Sequence, residues 1–500
     1  MCCNQSKICL LVLIIGTCAA AWTGCDKSAT VNSASASTDS GKLPVTTKSE
    51  EARKEFLQGQ DLADRLLAQE SMAHFDKAIA DDPEFASAEL ARANSSATTK
   101  DFFDHLNKAV NLADKVSEGE KLLILANQAG SNGDTVKQKE YLEKLVAAYP
   151  NDERAQFSLA NFYFGQQDID QAVEHYKKSI SLASNYSPAY NVLGYAYRQQ
   201  GNYSDAEQIF KKYTELIPND PNPYDSYAEL LMKMGRFDDS LVQYRKALSI
   251  DPHFNPSHFG LSGDLIYENK WDEATAELQK MADNARNDGE LRTAYFGMAV
   301  VAADRGKFDQ ALQAMAKEYA VAEKKNDVAS MAADLQAEGN ILEAIPKYSE
   351  AQKTFDRSFQ MIESSSLSQE IKDNAKLQHQ FNLAKLAIDQ KNYALAKTRT
   401  EEFRQGAEAT KNAVQVKLVH ELVGRIALGE KDYDKAVTEL EQASHQDPRN
   451  LYRLSQAYEG KGNSDKAHQM LSEAADFNAL PGLPYAFIRV KVQKQLGGKV

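Results

Sequence analysis

The sequence has few cysteines, and they are confined to one end of the chain. Five occur in 500 residues, and all lie within the first 25 positions. The stretch from Asp26 to Val500 therefore cannot form a disulfide framework, a thiolate zinc site or an iron–sulfur cluster, and it offers no cysteine nucleophile. Any chemistry that depends on cysteine has to take place at the N-terminus.

The sequence also lacks runs of lysine and arginine. It has 58 Lys and Arg residues against 71 Asp and Glu residues, which gives a formal net charge of −13. Nucleic-acid binding needs a basic stripe that neutralises phosphates and releases counterions. The charge pattern therefore argues against nucleic acid as a partner, while acidity of this size mainly favours solubility.

A short hydrophobic run lies at the N-terminus. It follows Lys7, begins at Ile8 and ends in small residues at positions 19–21. The run is too short for a stable membrane span and has the layout of an export signal. We therefore expect a signal peptide over residues 1–24.

The residues Trp22, Thr23, Gly24 and Cys25 resemble the lipobox of bacterial lipoproteins, although Trp22 stands where leucine is usual. In that family the cysteine is lipidated and becomes the first mature residue. The resemblance implies a lipid anchor at Cys25, with the body of the protein attached to a membrane outside the cytoplasm. The alternative is an ordinary signal peptide cut near Ala21, which would leave a soluble periplasmic or secreted protein.

Residues 26–48 are rich in serine, threonine and alanine and show no periodicity. This composition predicts a disordered, flexible tether whose average span is about 25–30 Å. The tether would hold the body of the protein close to the membrane surface.

One pattern recurs along the rest of the chain: a glycine or polar residue, a polar residue, an aromatic or aliphatic residue, and a small residue three places later. The triplets begin at Gln167, Gly201, Gly235, Asn269, Gly306, Lys391, Lys431 and Gly462. The first four copies are 34 residues apart and define the units 153–186, 187–220, 221–254 and 255–288. This period indicates a helix–turn–helix solenoid.

At these positions the chain resembles the tetratricopeptide repeat (TPR) family. In unit 187–220 the family's core positions hold Tyr190, Leu193, Gly194, Tyr197, Tyr203, Ala206 and Phe210, with Pro218 at the exit. The resemblance implies an all-α fold, an α-α superhelix or TPR solenoid of about twelve antiparallel helix pairs. Small residues at positions such as Gly194 would allow two helices to approach closely.

The turn of each unit can be predicted from its residue types. Gly201 and Gly235 can adopt the left-handed conformation that ends the first helix. Acidic residues and a serine follow the turn and are candidate N-caps for the second helix. These candidates are Asp170, Ser204, Asp238, Asp272 and Asp309.

The repeats divide the body of the chain. We predict a TPR array over 49–325, an irregular helical region over 326–376, further TPR units over 377–483 and a C-terminal capping helix over 484–500. In the irregular region, Pro346 is expected to interrupt the second helix of its unit. In the capping helix, Arg489 is expected to face solvent.

No catalytic constellation is apparent in the sequence. It contains no phosphate-binding loop, no HExxH string and no nucleophile elbow. His253 and His258 are five residues apart, but loop and surface histidines are a commoner explanation than a metal site. The sequence therefore predicts no catalytic residues, no metal and no cofactor.

In the TPR family, partners bind a concave surface lined by first-helix residues that lie outside the core. The corresponding positions here are Arg154, Phe157, Asn161, Phe164, Asn191, Tyr195, Arg198, Asp225, Met232, Phe259, Ile266 and Tyr267. Their mixture of aromatic, amide and charged groups suits an extended or helical peptide with apolar anchors. Alternatively, individual residues of this set pack against a neighbouring helix.

These expectations define a functional hypothesis. The chain is expected to be a non-enzymatic protein–protein interaction scaffold of the bacterial cell envelope, which binds a protein or peptide in the TPR groove. The alternative is an enzyme or small-ligand carrier whose site lies in the irregular region 326–376.

Overall fold

The computed structural model describes residues 41–498, and throughout this range the regular elements are helices. These residues form two compact units, an N-terminal unit of residues 41–223 and a C-terminal unit of residues 224–498. The predicted signal peptide, Cys25 and residues 26–40 of the tether lie outside the described residues. Between residues 41 and 498, no helix is both long enough and apolar enough to cross a membrane.

The N-terminal unit consists of ten α-helices and one short 3₁₀ turn at Ala113–Lys115. The helices are α1 (Glu50–Asp64), α2 (Ala68–Asp81), α3 (Ala86–Asn94), α4 (Thr99–Leu112), α5 (Glu118–Asn132), α6 (Thr135–Ala148), α7 (Glu153–Gly165), α8 (Ile169–Leu182), α9 (Ser187–Gln199) and α10 (Tyr203–Leu216). The next helix, α11 (Asn222–Lys233), begins in the last residues of this unit and continues into the C-terminal unit.

The C-terminal unit continues the same alternation. Its further helices are α12 (Phe237–Ile250), α13 (Asn255–Tyr267), α14 (Trp271–Asp283), α15 (Asp288–Asp304), α16 (Phe308–Lys324), α17 (Val328–Ala344), α18 (Tyr348–Glu363), α19 (Gln369–Asp389), α20 (Tyr393–Thr410), α21 (Ala413–Gly429), α22 (Tyr433–Leu440), α23 (Pro448–Gly460), α24 (Ser464–Ala475), α25 (Leu483–Ala486) and α26 (Arg489–Gln495).

Consecutive helices pack as antiparallel pairs joined by short turns. Within the described residues there are twelve such pairs, from α1 with α2 to α23 with α24, followed by the short helices α25 and α26. The predicted all-α chain of about twelve helix pairs is therefore confirmed.

Eight turns share one backbone conformation. The first residue of each repeated triplet has a φ angle between +60° and +77°; these residues are Gln167, Gly201, Gly235, Asn269, Gly306, Lys391, Lys431 and Gly462. The left-handed conformation predicted for Gly201 and Gly235 is confirmed. It ends the first helix of each pair and directs the chain back along it.

The predicted N-caps of the second helices are wrong by two residues. The caps are the middle residues of the triplets, such as Asp168 and Asn202, whose side chains accept from the backbone N–H groups of Gln171 and Asp205. The left-handed residue already closes the first helix, so a single residue remains between it and the second helix. The predicted candidates Asp170, Ser204, Asp238, Asp272 and Asp309 accordingly lie in the first turn of α8, α10, α12, α14 and α16.

Residues 326–376 form ordinary helix pairs. Ile345 and Pro346 lie in the turn between α17 and α18, so the expectation that Pro346 interrupts a helix is wrong. The reason is helix length: helices α15–α21 have 16–21 residues, whereas helices α7–α14 have 12–14. The turn therefore comes later than a 34-residue period places it.

The end of the predicted tether is packed against the N-terminal unit. Within residues 42–48, the backbone N–H of Leu43 donates to Asp152 (2.8 Å), and that of Thr46 donates to Glu120 (2.8 Å). The Leu43 side chain also joins an apolar cluster between α5, α6 and α7. The expectation that the flexible tether extends to Lys48 is therefore corrected.

Candidate functional site

The first-helix positions of the N-terminal unit are only partly accessible. On α7, Phe157 is buried, and its ring lies 5.8 Å from that of Tyr176 and 5.4 Å from that of Tyr186. The Tyr176 hydroxyl donates to the Oδ1 atom of Asn161 (2.7 Å), which is half-buried, as is Phe164. Phe157 therefore acts in the core, while Asn161 and Phe164 lie at the surface.

On helix α9, too, some of the predicted groove residues are buried and others are partly exposed. Tyr195 is buried, with its ring 5.2 Å from that of Phe210, and Asn191 is buried as well. The Arg198 guanidinium lies over the Tyr195 ring at 4.7 Å and is half-buried. The partly exposed predicted residues of this unit are therefore Asn161, Phe164 and Arg198, and all lie in the second half of their helices.

The first turn of α7 approaches the end of α1. Arg65, just after α1, donates from Nε and Nη2 to the two carboxylate oxygens of Asp220 at 2.8 and 2.6 Å. One residue earlier, burial raises the pKa of the Asp64 carboxyl well above its usual range, against the opposing charge of Arg154. Arg154 is only 4% exposed. The structure therefore places Arg154 in the interior of the unit.

In the C-terminal unit, the predicted groove residues Asp225, Phe259 and Ile266 are buried. Asp225 accepts a hydrogen bond from the Ser257 hydroxyl (2.7 Å), and burial together with the charge of Glu229 raises its pKa to about 8. These three residues do not reach the surface of this structure.

The remaining predicted residues, Met232 and Tyr267, lie against the end of the chain. Residues 476–496, here called the C-terminal segment, run back over α11, α13 and α15. Lys233 donates from Nζ to the backbone carbonyl of Phe477, and the Tyr267 hydroxyl donates to that of Ala479. The first-helix surface of α11, α13 and α15 is therefore covered by the protein's own chain.

The apolar side chains of the C-terminal segment pack closely against α11 and α13. A Cβ atom at Gly263 would lie 2.9 Å from Pro481 Cδ and 3.1 Å from Met232 Cε. The Tyr485 ring packs 5.6 Å from that of Tyr267. A side chain at position 263 would therefore exclude the segment.

An ion pair fixes the far end of the C-terminal segment. Arg489 is fully buried and donates from Nε and Nη2 to the carboxylate oxygens of Asp304 at 2.7 and 2.6 Å. Asp304 also accepts from Trp271 Nε1 (2.7 Å), and Arg489 Nη2 donates to Asn269 (2.9 Å). The expectation that Arg489 faces solvent is wrong, because Asp304 supplies a buried carboxylate that cannot be recognised from the sequence of the segment.

A second group of buried charges joins three first helices of the C-terminal unit. Lys385 on α19 donates to Glu343 on α17 (2.7 Å), and Arg425 on α21 donates to Asp389 on α19 (2.7 Å). Burial alone would raise the pKa of Glu343, but the charges of Lys385 and Arg425 lower it to about 2. Opposite charges therefore compensate one another within this network.

The side chains that the structure describes show no arrangement suited to metal binding. Among residues 41–498, no group of three or more His, Cys, Asp or Glu side chains could hold a metal ion. His258 contacts Glu277 Oε1 with Nδ1 (2.5 Å) and the Pro252 carbonyl with Nε2 (2.9 Å). Both ring nitrogens of His258 are thus used within the protein.

Three stretches of the chain match family models described as tetratricopeptide repeats: residues 152–219, 222–254 and 293–317. These three stretches are therefore similar to TPR repeats, and the fold class is the all-α solenoid of TPR type that the resemblance implies. All three matching models describe TPR repeats, which generally mediate interactions between proteins. No curated protein matches the chain significantly.

Several solved structures are similar to parts of the chain. YrrB, a TPR protein with an unusual peptide-binding site, is 18% identical, with 37% of this chain and 93% of that chain covered and a TM-score of 0.25. A TPR protein from Parabacteroides merdae is 15% identical, with coverages of 57% and 99% and a TM-score of 0.35. TTC0263, a TPR protein of Thermus thermophilus, is 20% identical, with coverages of 43% and 99% and a TM-score of 0.28.

Sequence reasoning missed the residues that hold the C-terminal segment. Lys233 and Asp304 lie outside the family's groove positions, and Gly263 offers no side chain to assign. One signal was present in the segment itself, where Pro481 disfavours helix formation among apolar residues. Such a stretch after a helical repeat favours an extended chain that packs on a surface.

Proposed function

We propose that this protein is a non-enzymatic scaffold of the bacterial cell envelope that binds a partner protein or peptide through the first helices of its N-terminal unit. The observation that carries the proposal is the continuous array of helix pairs, three stretches of which are TPR repeats. In each pair, the core residues hold the two helices together. The pairs differ in the side chains that they present at the surface.

The proposed contact surface consists of Asn161, Phe164 and Arg198. These residues combine an amide, an aromatic ring and a guanidinium on two neighbouring first helices, and all three are partly exposed. Aromatic and arginine side chains supply much of the affinity at protein interfaces. The corresponding residues of the C-terminal unit are buried, which favours the N-terminal unit as the contact site.

The contact surface can be tested by affinity capture from an envelope extract. Residues 41–500 should retain a defined partner protein, and the double variant Phe164→Ala, Arg198→Ala should retain at least tenfold less of it. Val242→Ala is the matched control, because Val242 is exposed and lies on a second helix. Equal capture by the wild type and the double variant would contradict the proposed surface.

The proposed anchor is tested separately at Cys25. The wild-type protein should fractionate with membranes and carry the mass of attached lipid, whereas Cys25→Ser should be found in the soluble fraction without that mass. Unchanged mass and fractionation in the variant would refute lipidation and favour the ordinary signal peptide.

The second candidate function is that of a small-ligand carrier or enzyme with its site near residues 326–376. The observation behind it is that Glu343 of this region belongs to a buried network of polar side chains with Lys385, Asp389 and Arg425. Native mass spectrometry after gentle purification should then show a bound metabolite. A mass equal to that of the protein alone would remove this candidate.

A further inference from the structure

The C-terminal segment contacts the first-helix surface in the manner of a bound peptide. Residues 476–482 form no helix, and two of their backbone carbonyls, at Phe477 and Ala479, accept from Lys233 and Tyr267. Contacts to the backbone recognise an extended chain irrespective of its side chains. Lys233 and Tyr267 therefore provide a general means of holding a peptide.

Side-chain contacts add selectivity for particular residues. Lys233 Nζ lies 4.4 Å from the centre of the Phe477 ring, and Pro481 occupies the space left by Gly263. The Tyr485 ring lies 5.6 Å from that of Tyr267 on α13. The surface therefore favours an aromatic residue, then a proline, then a second aromatic residue.

The most specific contact is made by Arg489. Asp304 binds its guanidinium with two parallel hydrogen bonds inside the protein, and Trp271 donates to the same carboxylate. A lysine could not make both bonds, because its ammonium group is a point donor. The site thus requires an arginine at this place.

We propose that the surface formed by α11, α13 and α15 is a binding site for a peptide that is extended where it carries an aromatic residue and a proline and helical where it carries the arginine that follows them. The C-terminal segment is its resident ligand, so a partner peptide gains access only when the segment is released. This inference rests on the proposed protein-binding function. It concerns a different unit from the Phe164 and Arg198 surface, so the two can fail independently.

The test uses a fluorescently labelled synthetic peptide of residues 476–498 and the chain from residue 41 to 500. The wild type should not bind the peptide, because its own segment occupies the site. Arg489→Gln should bind the peptide at least tenfold more tightly than the wild type, because the segment of the variant is held more weakly.

Two controls belong to this experiment. Lys494→Gln changes an exposed residue of the same segment and should behave as the wild type. A peptide carrying Arg489→Gln should not bind the Arg489→Gln protein. A folded Arg489→Gln protein, judged by its circular dichroism, that fails to bind the wild-type peptide would overturn the proposal.

Amide hydrogen exchange of the wild-type chain provides a test that does not depend on a variant. Residues 476–482 should exchange faster than the neighbouring helices α23 and α24, and an excess of unlabelled peptide should accelerate this exchange further. Exchange at the rate of α23 and α24, unaffected by the peptide, would identify the segment as a permanent part of the core and overturn the proposal. Exchange of segments between two copies in a dimer would support the same site, with the ligand supplied by a second chain.

Discussion

Glycine residues face large aromatic side chains where two helices of a pair come closest. A Cβ atom at Gly194 would lie 2.6 Å from the Phe210 ring, and one at Gly339 would lie still closer to the Phe355 ring. Such distances leave no room for a methyl group. These glycines therefore set the distance between the helices.

Gly194→Ala should lower the free energy of unfolding by about 1–3 kcal/mol, because Phe210 or the backbone has to move. Gly165→Ala is the matched control, since a Cβ atom at Gly165 would have no other atom within 4 Å and alanine favours the helix by up to about 1 kcal/mol. Urea unfolding followed by circular dichroism would measure both changes. Equal effects of the two substitutions would contradict this account of the packing.

Asp264 is a buried carboxyl group whose titration should affect stability. It is fully buried, and burial together with the charge of Glu268 raises its pKa to about 8. Between about pH 4 and pH 8 the folded chain keeps a proton that the unfolded chain has lost. The contribution of this group to stability is therefore greatest below about pH 4 and declines as the pH rises to about 8.

Asp264→Asn should remove this dependence, because the amide does not titrate. The stability advantage of the variant over the wild type should grow by up to about 1.4 kcal/mol per pH unit between pH 4 and pH 8. Unfolding curves at pH 5, 6, 7 and 8 would measure it. A constant difference across this range would show that Asp264 is ionised in the folded protein.

Among the turns, the residues with a left-handed backbone conformation differ in the conformational free energy that they cost. Lys431 has a φ angle of 65°, whereas Gly462 has one of 77° at the corresponding place in a later pair. A residue with a Cβ atom is strained in this conformation, and glycine is not. The turn at Lys431 is therefore less favourable than it could be.

Lys431→Gly should raise the free energy of unfolding by about 0.5–1 kcal/mol, and Gly462→Lys should lower it by about 1 kcal/mol. A Cβ atom at Gly462 would have no other atom within 4 Å, so the change there is purely conformational. Thermal unfolding of both variants provides the measurement. The same direction of change in both would exclude backbone strain as the cause.

The helices and turns could be predicted from the sequence because they depend on residues that are close together in the chain. The repeated triplets placed the turns, and the left-handed conformation of Gly201 followed from its lack of a side chain. The N-caps were misplaced by two residues because Asp170 and Asp168 are equally good capping residues on composition alone. The longer helices α15–α21 were missed because the 34-residue period no longer applies there.

Across the protein as a whole, contacts between residues that are far apart in the sequence could not be predicted. The groove positions came from the family pattern, but the burial of Met232 and Tyr267 depends on a segment more than two hundred residues later. Nothing in the local sequence of Arg489 shows that Asp304 will be its partner. The predicted groove residues could therefore be assigned to first helices, but their accessibility could not be predicted.

Arg489→Ala should destabilise the C-terminal unit by about 3–5 kcal/mol, because it leaves the Asp304 carboxylate buried without its partner. Lys494→Ala, which removes an exposed charge from the same helix, should change stability by less than about 0.5 kcal/mol. Urea unfolding measures both. Similar small effects would show that the ion pair is not essential to the fold of this unit.

The ion pair between Arg489 and Asp304 also has a consequence for the order in which the protein is made. The two residues are 185 positions apart, so Asp304 leaves the ribosome well before Arg489. At about 5–20 residues per second, the surface around Asp304 stays uncovered for on the order of ten seconds or longer during synthesis. A chain that ends before the C-terminal segment would keep this apolar surface exposed, and chaperones or proteases would distinguish it from a chain that contains the segment.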